Sequence, residues 1–347
     1  MDRKSFFECS LFGEAVDVFA GSFVVHQKEI VLDQVMGDQA AFKLVDVEYI
    51  CRLTQPTTGV DKRKPLIIIP SRNNMDLIEY TLDNLFTHNI HDICNVMVVD
   101  DRSTDDYSSL LRRPGLSLLR VDNSKGFNFS MLCNIGAYVA NASGVEEIIL
   151  WNNDVWAEKR EHLETIIKKH REDQATISGT KLLYPIRSFN GETEDGKHAK
   201  QRFPDIKDGE WRGTVQFGGS SWVRTNGPIL FSPAHKRRFG DARHYLVNDD
   251  HAEIFVTGAF QVIDLRWLVN NGGMNPSLSK NFQDVDLCLR ASVQNKKVMY
   301  YGKDVFLWHD DSLTFRSGYD KKSDEQFASD HVLFGMLWND KIAKIIL

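Results

Sequence analysis

Three short runs without a charged residue, Leu66-Ile67-Ile68-Ile69, Val96-Met97-Val98-Val99 and Ile148-Ile149-Leu150-Trp151, constrain the fold more than any other feature of this chain. Apolar runs that do not alternate belong to strands covered on both faces, as in a parallel sheet flanked by helices. Between the first two runs, Met75, Ile78, Leu82, Leu85 and Phe86 recur at helical spacing. Strand, helix, strand is a βαβ unit with a right-handed crossover. Leu116 to Val121 adds a strand and Phe129 to Ala140 a helix. The reading is an α/β fold with a mostly parallel central sheet.

Each strand ends in polar residues: Pro70-Ser71-Arg72-Asn73, then Asp100-Asp101, then Asn152-Asn153-Asp154. Taken alone, Asn-Asn-Asp is a turn that ends a strand. Three such endings on successive parallel strands line one sheet edge with acids, amides and an arginine, where open α/β sheets bind ligands. That layout suits a nucleotide with a metal. No Gly-x-Gly-x-x-Gly follows the first strand and no Gly-x-x-x-x-Gly-Lys-Ser/Thr occurs, which argues against dinucleotide and P-loop chemistry.

The 347 residues suffice for one large domain or two smaller ones. A net charge of −6 argues against nucleic-acid binding, which needs a basic face. Lys168-Lys169-His170-Arg171 and His235-Lys236-Arg237-Arg238 read as solvated surface. Five scattered cysteines without a Cys-x-x-Cys pair suggest a reduced, cytoplasmic chain. Asp2, Arg3, Lys4 and Glu8 are incompatible with a secretory signal. No apolar run approaches the roughly 20 residues of a membrane span, so any membrane contact is peripheral.

Residues 1–62 read as a small β-rich extension, with strands at Ser22 to His26 and Ala41 to Ile50 and a closing turn at Gln55 to Gly59. In the second half a strand at Gly179 to Pro185 leads into a polar, glycine-rich region, about 188 to 250, read as a substrate lid or as disorder. Within it Asn248-Asp249-Asp250-His251 reads as a solvated turn, because no apolar strand delivers it to an edge. Helices are expected around Leu265 to Asn270 and from Phe282 to Arg290, where Asp284 and Asp286 fall in the first turn, favoured by the helix dipole or serving as caps. Lys297 to Trp308 reads as one strand delivering His309-Asp310-Asp311, a metal ligand or proton carrier. Residues 316–347 read as a helical segment, with a capping box at Ser323 and Gln326. The apolar end Ile345-Ile346-Leu347 leaves open an oligomer contact, a membrane-surface contact or a longer parent chain.

In order along the chain, Pro70-Ser71-Arg72-Asn73, Val99-Asp100-Asp101-Arg102-Ser103-Thr104-Asp105, Gly126-Phe127-Asn128 with Asn134-Ile135-Gly136, Asn152-Asn153-Asp154, Thr257-Gly258-Ala259, Gly272-Gly273-Met274-Asn275, Gln283 to Arg290 and His309 resemble family 2 glycosyltransferases of the GT-A fold. The pattern is most similar to the rhamnosyl- and galactofuranosyltransferase-like branch and covers about 65 to 315. The resemblance implies a domain at 63–315, with a nucleotide-binding half at 63–156 and an acceptor half at 157–315. It implies inverting transfer from a UDP- or dTDP-sugar to a hydroxyl of a saccharide or lipid-linked saccharide, in cell-surface polysaccharide synthesis at the cytoplasmic membrane face. Asp284 would be the general base. Pro70, Ser71, Arg72, Asn73, Asp100, Asp101, Asn128, Asn134, Asn153 and Gly258 would meet the donor, and Gln283, Asp286 and Trp308 the acceptor. Asp154 and His309 would hold Mn2+ or Mg2+.

The chemistry agrees. A diphosphate leaving group needs a cation to offset developing charge, and such ions can be held by one or two protein groups plus phosphate oxygens and water. Two positions depart from the family pattern. Asn152 replaces an Asp in the metal triplet, and Gln283 replaces the Glu that commonly precedes the base, which removes like-charge repulsion and should leave Asp284 a weaker base. Two rivals stand beside this reading. A sugar-phosphate nucleotidyltransferase normally has a glycine-rich basic loop after its first strand, which Ser71-Arg72-Asn73-Asn74 is not; a non-catalytic sugar-binding module is kept open by Gln283.

Overall fold

The computed structural model describes residues 14–16, 22–36, 39–54, 60–122, 126–185, 212–310 and 321–346. The Gln55 to Gly59 turn, most of the first half of the expected lid, Asp311 and the side chains of Ser323 and Ile346 lie outside the described residues.

In chain order the strands are β1 (Glu14–Val16), β2 (Ser22–Met36), β3 (Gln39–Thr54), β4 (Leu66–Ser71), β5 (Asn95–Asp101), β6 (Leu116–Asp122), β7 (Glu147–Trp151), β8 (Val155–Ala157), β9 (Ile177–Thr180), β10 (Leu182–Leu183), β11 (Val215–Phe217), β12 (Ser220–Arg224), β13 (Phe231–His235), β14 (Asp250–Ala252), β15 (Phe260–Asp264), β16 (Val298–Tyr301) and β17 (Leu307–His309). The helices are α1 (Met75–Thr87), α2 (Phe129–Ala142), α3 (Arg160–Glu172), α4 (Leu265–Asn270), α5 (Gln283–Val293) and α6 (Lys321–Ile346).

The main sheet has the order β1-β2-β3-β6-β5-β4-β7-β15-β9-β16-β14. Its centre, β6-β5-β4-β7, is parallel, as the unbroken apolar runs require. Every residue of β4 is buried. Pro70 is tolerated in this central strand because β7 pairs with β4 only as far as Ile68, so no ladder partner on that side needs its missing N–H. Helix α2 packs so closely on β4 that a Cβ at Gly136 would lie 2.7 Å from Ile68 Cγ2.

Outside this centre the sheet is mixed rather than mostly parallel. β15 runs antiparallel to both β7 and β9, and β3 runs antiparallel to β6 through Ile50 to Thr54. The N-terminal strands therefore continue the main sheet instead of standing apart from it. They cover the β6 edge, whose free N–H and C=O groups would otherwise template aggregation.

The single strand read at Lys297 to Trp308 is two. β16 joins the main sheet, while β17 crosses into a small sheet of order β11-β10-β17-β8. The break falls at Gly302 to Phe306, where Asp304 takes φ 60, a conformation that ends a strand. The second half of the expected lid is structured as well: β12 and β13 form a hairpin, and β14 pairs with β16. Helix α6 has already begun at Lys321, so Ser323 lies inside its first turn rather than at a cap. Leu333, Phe334, Trp338 and Ile342 bring α6 into the core. Among the described residues no helix is long and apolar enough to cross a membrane.

Candidate active site

The first part of the site is the carboxyl edge of β4 and β5. Ser71 is buried and shares a 3.0 Å hydrogen bond with the Tyr107 hydroxyl. Asn73, at φ 54, is locked by its own N–H to Ser103 Oγ and by Thr104 N–H to its side-chain oxygen. Asp105 accepts from the Met75 amide and so caps α1 from the neighbouring loop. These bonds fix the turn that presents Asp100 and Asp101, both fully buried. Asp100 takes the Ser103 amide and lies 3.5 Å from Arg120; Asp101 lies 3.4 Å from Arg72. Two buried acids beside two half-exposed guanidinium groups suit the hydroxyls and ring nitrogens of a nucleoside.

The second part is the β7–β8 turn. Thr81 on α1 donates to the Asn153 carbonyl, and the Asn153 amide reaches Ser71 Oγ at 3.4 Å, so the turn is tied to the β4 edge. Asp154 is buried, and its Oδ1 lies 3.3 Å from Nε2 of His309, also buried. The pairing of β17 with β8 sets this approach: His309 stands opposite Val155, and the Asp310 amide donates to the Asp154 carbonyl. A buried carboxylate whose Oδ1 accepts no hydrogen bond, facing an imidazole nitrogen, fits a divalent cation. No group of three or more His, Cys, Asp or Glu that could hold a metal occurs among the described residues, so such an ion would draw its other ligands from substrate and water. Asn248 to His251 are occupied otherwise: Asp250 binds Lys169 and the Gly302 and Lys303 amides, and His251 binds Glu253.

The third part is Asp284, half-buried in the first turn of α5. Its carboxylate accepts from the Gly258 amide at 2.6 Å and the Val285 amide at 2.8 Å. Gly258 is close enough that a Cβ there would lie 3.0 Å from Asp284 Cβ, so glycine is what lets the two segments meet. The next residue, Ala259, accepts from the Asn152 amide, which places Asp284 beside the β7–β8 turn. Burial raises the Asp284 pKa, opposed by the amide hydrogen bonds. Desolvation thus supplies the basicity that Gln283 was expected to reduce. Gln283 itself is buried with an Oε1 that has no hydrogen-bond partner.

Several residues expected at ligands are committed elsewhere. Asn128 caps α2 through Met131 and donates to the Pro276 carbonyl. Asn134 uses both ends of its amide on Met274. Both tie α2 to the loop at Met274 and Pro276. Asp286 accepts from Arg290 and from the Trp338 indole, and the second bond ties α5 to α6. Trp308 donates to Glu158 and lies under Arg212 in the small sheet. The sequence reading missed Asp330, a buried acid of α6 that accepts from the Ser279, Lys280 and Asn281 amides. A single Asp in an amphipathic helix reads as solvent-facing; only its three loop partners reveal it.

This sheet, with polar residues gathered at the ends of β4, β5 and β7, has the GT-A fold. Among solved structures the chain is similar to that of GalNAc-T7 with UDP, GalNAc and Mn2+, at TM-score 0.52 and 11% identity over 82% of this chain; it spans 57% of that chain's length. Weaker likenesses are to the mannosyltransferase PcManGT from Pyrobaculum calidifontis with GDP-Man and Mn2+ (TM-score 0.42, 15% identity, 80% of this chain and 70% of that one) and to residues 1–349 of TarS from S. aureus (0.44, 14%, 78% and 71%). No family model and no curated protein matches the sequence.

Proposed function

We propose that this chain is a metal-dependent, inverting glycosyltransferase that moves a hexosyl or deoxyhexosyl unit from a UDP- or dTDP-sugar to a hydroxyl of a saccharide or lipid-linked saccharide. The reading includes the family 2, rhamnosyl- and galactofuranosyltransferase-like branch, and work in cell-surface polysaccharide synthesis at the cytoplasmic membrane face. One observation carries it: Asp284 and the Asp154–His309 pair meet at one sheet edge through the Asn152–Ala259 and Gly258–Asp284 hydrogen bonds. GalNAc-T7, which shares the fold, is described with UDP and Mn2+.

In this reading Asp100 and Asp101 accept from the nucleoside, and Arg72 and the Ser71–Asn73 turn flank them. Asp154 and His309 would hold Mn2+ or Mg2+. When bound, the ion offsets charge on the departing diphosphate. Asp284 takes the proton of the acceptor hydroxyl as that oxygen bonds to the anomeric carbon and the bond from this carbon to the diphosphate breaks. One base suffices for inversion, and its raised pKa makes it a better proton acceptor. The Gly258 and Val285 amides keep the carboxylate aimed.

The test is incubation with Mn2+, a panel of nucleotide sugars and saccharide acceptors, followed by measurement of nucleoside diphosphate and of the anomeric configuration of the product. Inverted product from one donor supports the reading. Tight nucleotide binding with no diphosphate released from any donor would favour a non-catalytic binding module.

A further inference from the structure

We propose that helix α6 is a positioning clamp for the base Asp284, acting through Asp330 and Phe334; the proposal rests on the glycosyltransferase reading above. Three successive loop amides, from Ser279, Lys280 and Asn281, converge on the buried Asp330 carboxylate at 3.2, 2.8 and 2.9 Å. The loop leads directly into Phe282, which has φ 63, a left-handed conformation that a bulky residue holds only under outside constraint. That constraint is again α6: the Phe282 ring stacks on Phe334 with centroids 4.7 Å apart and meets His331 edge-on at 4.6 Å. Asp284 comes two residues later. Beyond it, Asp286 accepts from Trp338 of the same helix. The first turn of α5 is therefore gripped by α6 on both sides of the base, while Phe129 and Ser130 of α2 hold the carbonyls of Ser279 and Leu278.

A misplacement of about 1 Å at a reacting group lowers turnover by about 10²-fold. D330N keeps the shape of the side chain but turns an N–H toward a site that needs acceptors, so some of the three amides lose their partner. F334L loosens Phe282 without touching those bonds, and decides the matter if D330N fails to fold. Each should lower kcat by about 10²-fold while donor KM and nucleotide Kd stay within about twofold, and D330E should recover part of the loss. I342V, a buried change farther along α6, serves as control and should lower the melting midpoint but leave kcat unchanged. Full kcat in folded D330N, or in F334L, would overturn the clamp, as would an I342V that loses kcat equally at matched stability. An inactive wild type that binds nucleotide would count against the glycosyltransferase reading instead.

Discussion

Asp284 lies in a setting where burial raises its pKa from the ordinary aspartate value, against the opposing pull of its backbone hydrogen bonds. As a base it works only when ionised, so turnover should fall on acidification at a higher pH than for an exposed Asp; a pH–kcat profile checks this. Asp330, raised by burial from 3.8 to about 6, gives a second pH effect through stability. Its folded pKa exceeds its unfolded one, so the folded state binds more protons between these values. Unfolding free energy contributed by this group therefore falls as pH rises from about 4 to about 6 and is level above that. Two pKa units correspond to roughly 3 kcal/mol. The stability of D330N relative to wild type should improve by up to that amount between pH 4 and pH 7, read from urea midpoints. The positions of Asp100, Asp101, Asp154 and His309 at or just beyond strand ends were legible because each follows an apolar run. The hydrogen bonds of Asn128 and Asn134 to Pro276 and Met274 were not legible, because a side-chain amide looks the same in sequence whether it meets a ligand or a distant loop.

At the scale of elements, the turn before β15 comes tightly against helix α5. G258A would place a Cβ 3.3 Å from Asp284 Oδ2 and 3.0 Å from its Cβ. The variant should lose about 10²-fold or more in kcat with nucleotide affinity retained, measured by steady-state kinetics and calorimetry. The parallel core was readable because strands buried on both faces leave unbroken apolar runs. β15 is buried through Ile263 and carries no charge before Asp264, yet it runs antiparallel, and composition does not settle strand direction. Reading Lys297 to Trp308 as one strand ran through the polar break Gly302-Lys303-Asp304, where the chain passes from the main sheet to the small one; that passage is what brings His309 to Asp154.

For the molecule as a whole, one sheet supplies three sets of groups at a common edge: Asp100 and Asp101 from β5, Asp154 after β7, and Asp284 against the turn before β15. D154A should leave the fold and its melting midpoint within a few degrees of wild type and abolish the response of activity to added Mn2+. Full activity in that variant would contradict the assigned metal site. Deleting residues 1–60 should expose the edge of β6 and promote aggregation, seen by light scattering. The parallel strands and their polar endings were readable from the sequence. Long-range ties such as Asp330 to the 279–281 loop and Trp338 to Asp286 were not, since nothing local marks residues that meet only after folding.

The most direct measurement compares wild type with D284N for nucleotide affinity and for nucleoside diphosphate release in the same Mn2+-containing buffer. The account predicts equal affinity and a loss of release of about 10²- to 10⁴-fold in D284N. Equal release by the two proteins would contradict it.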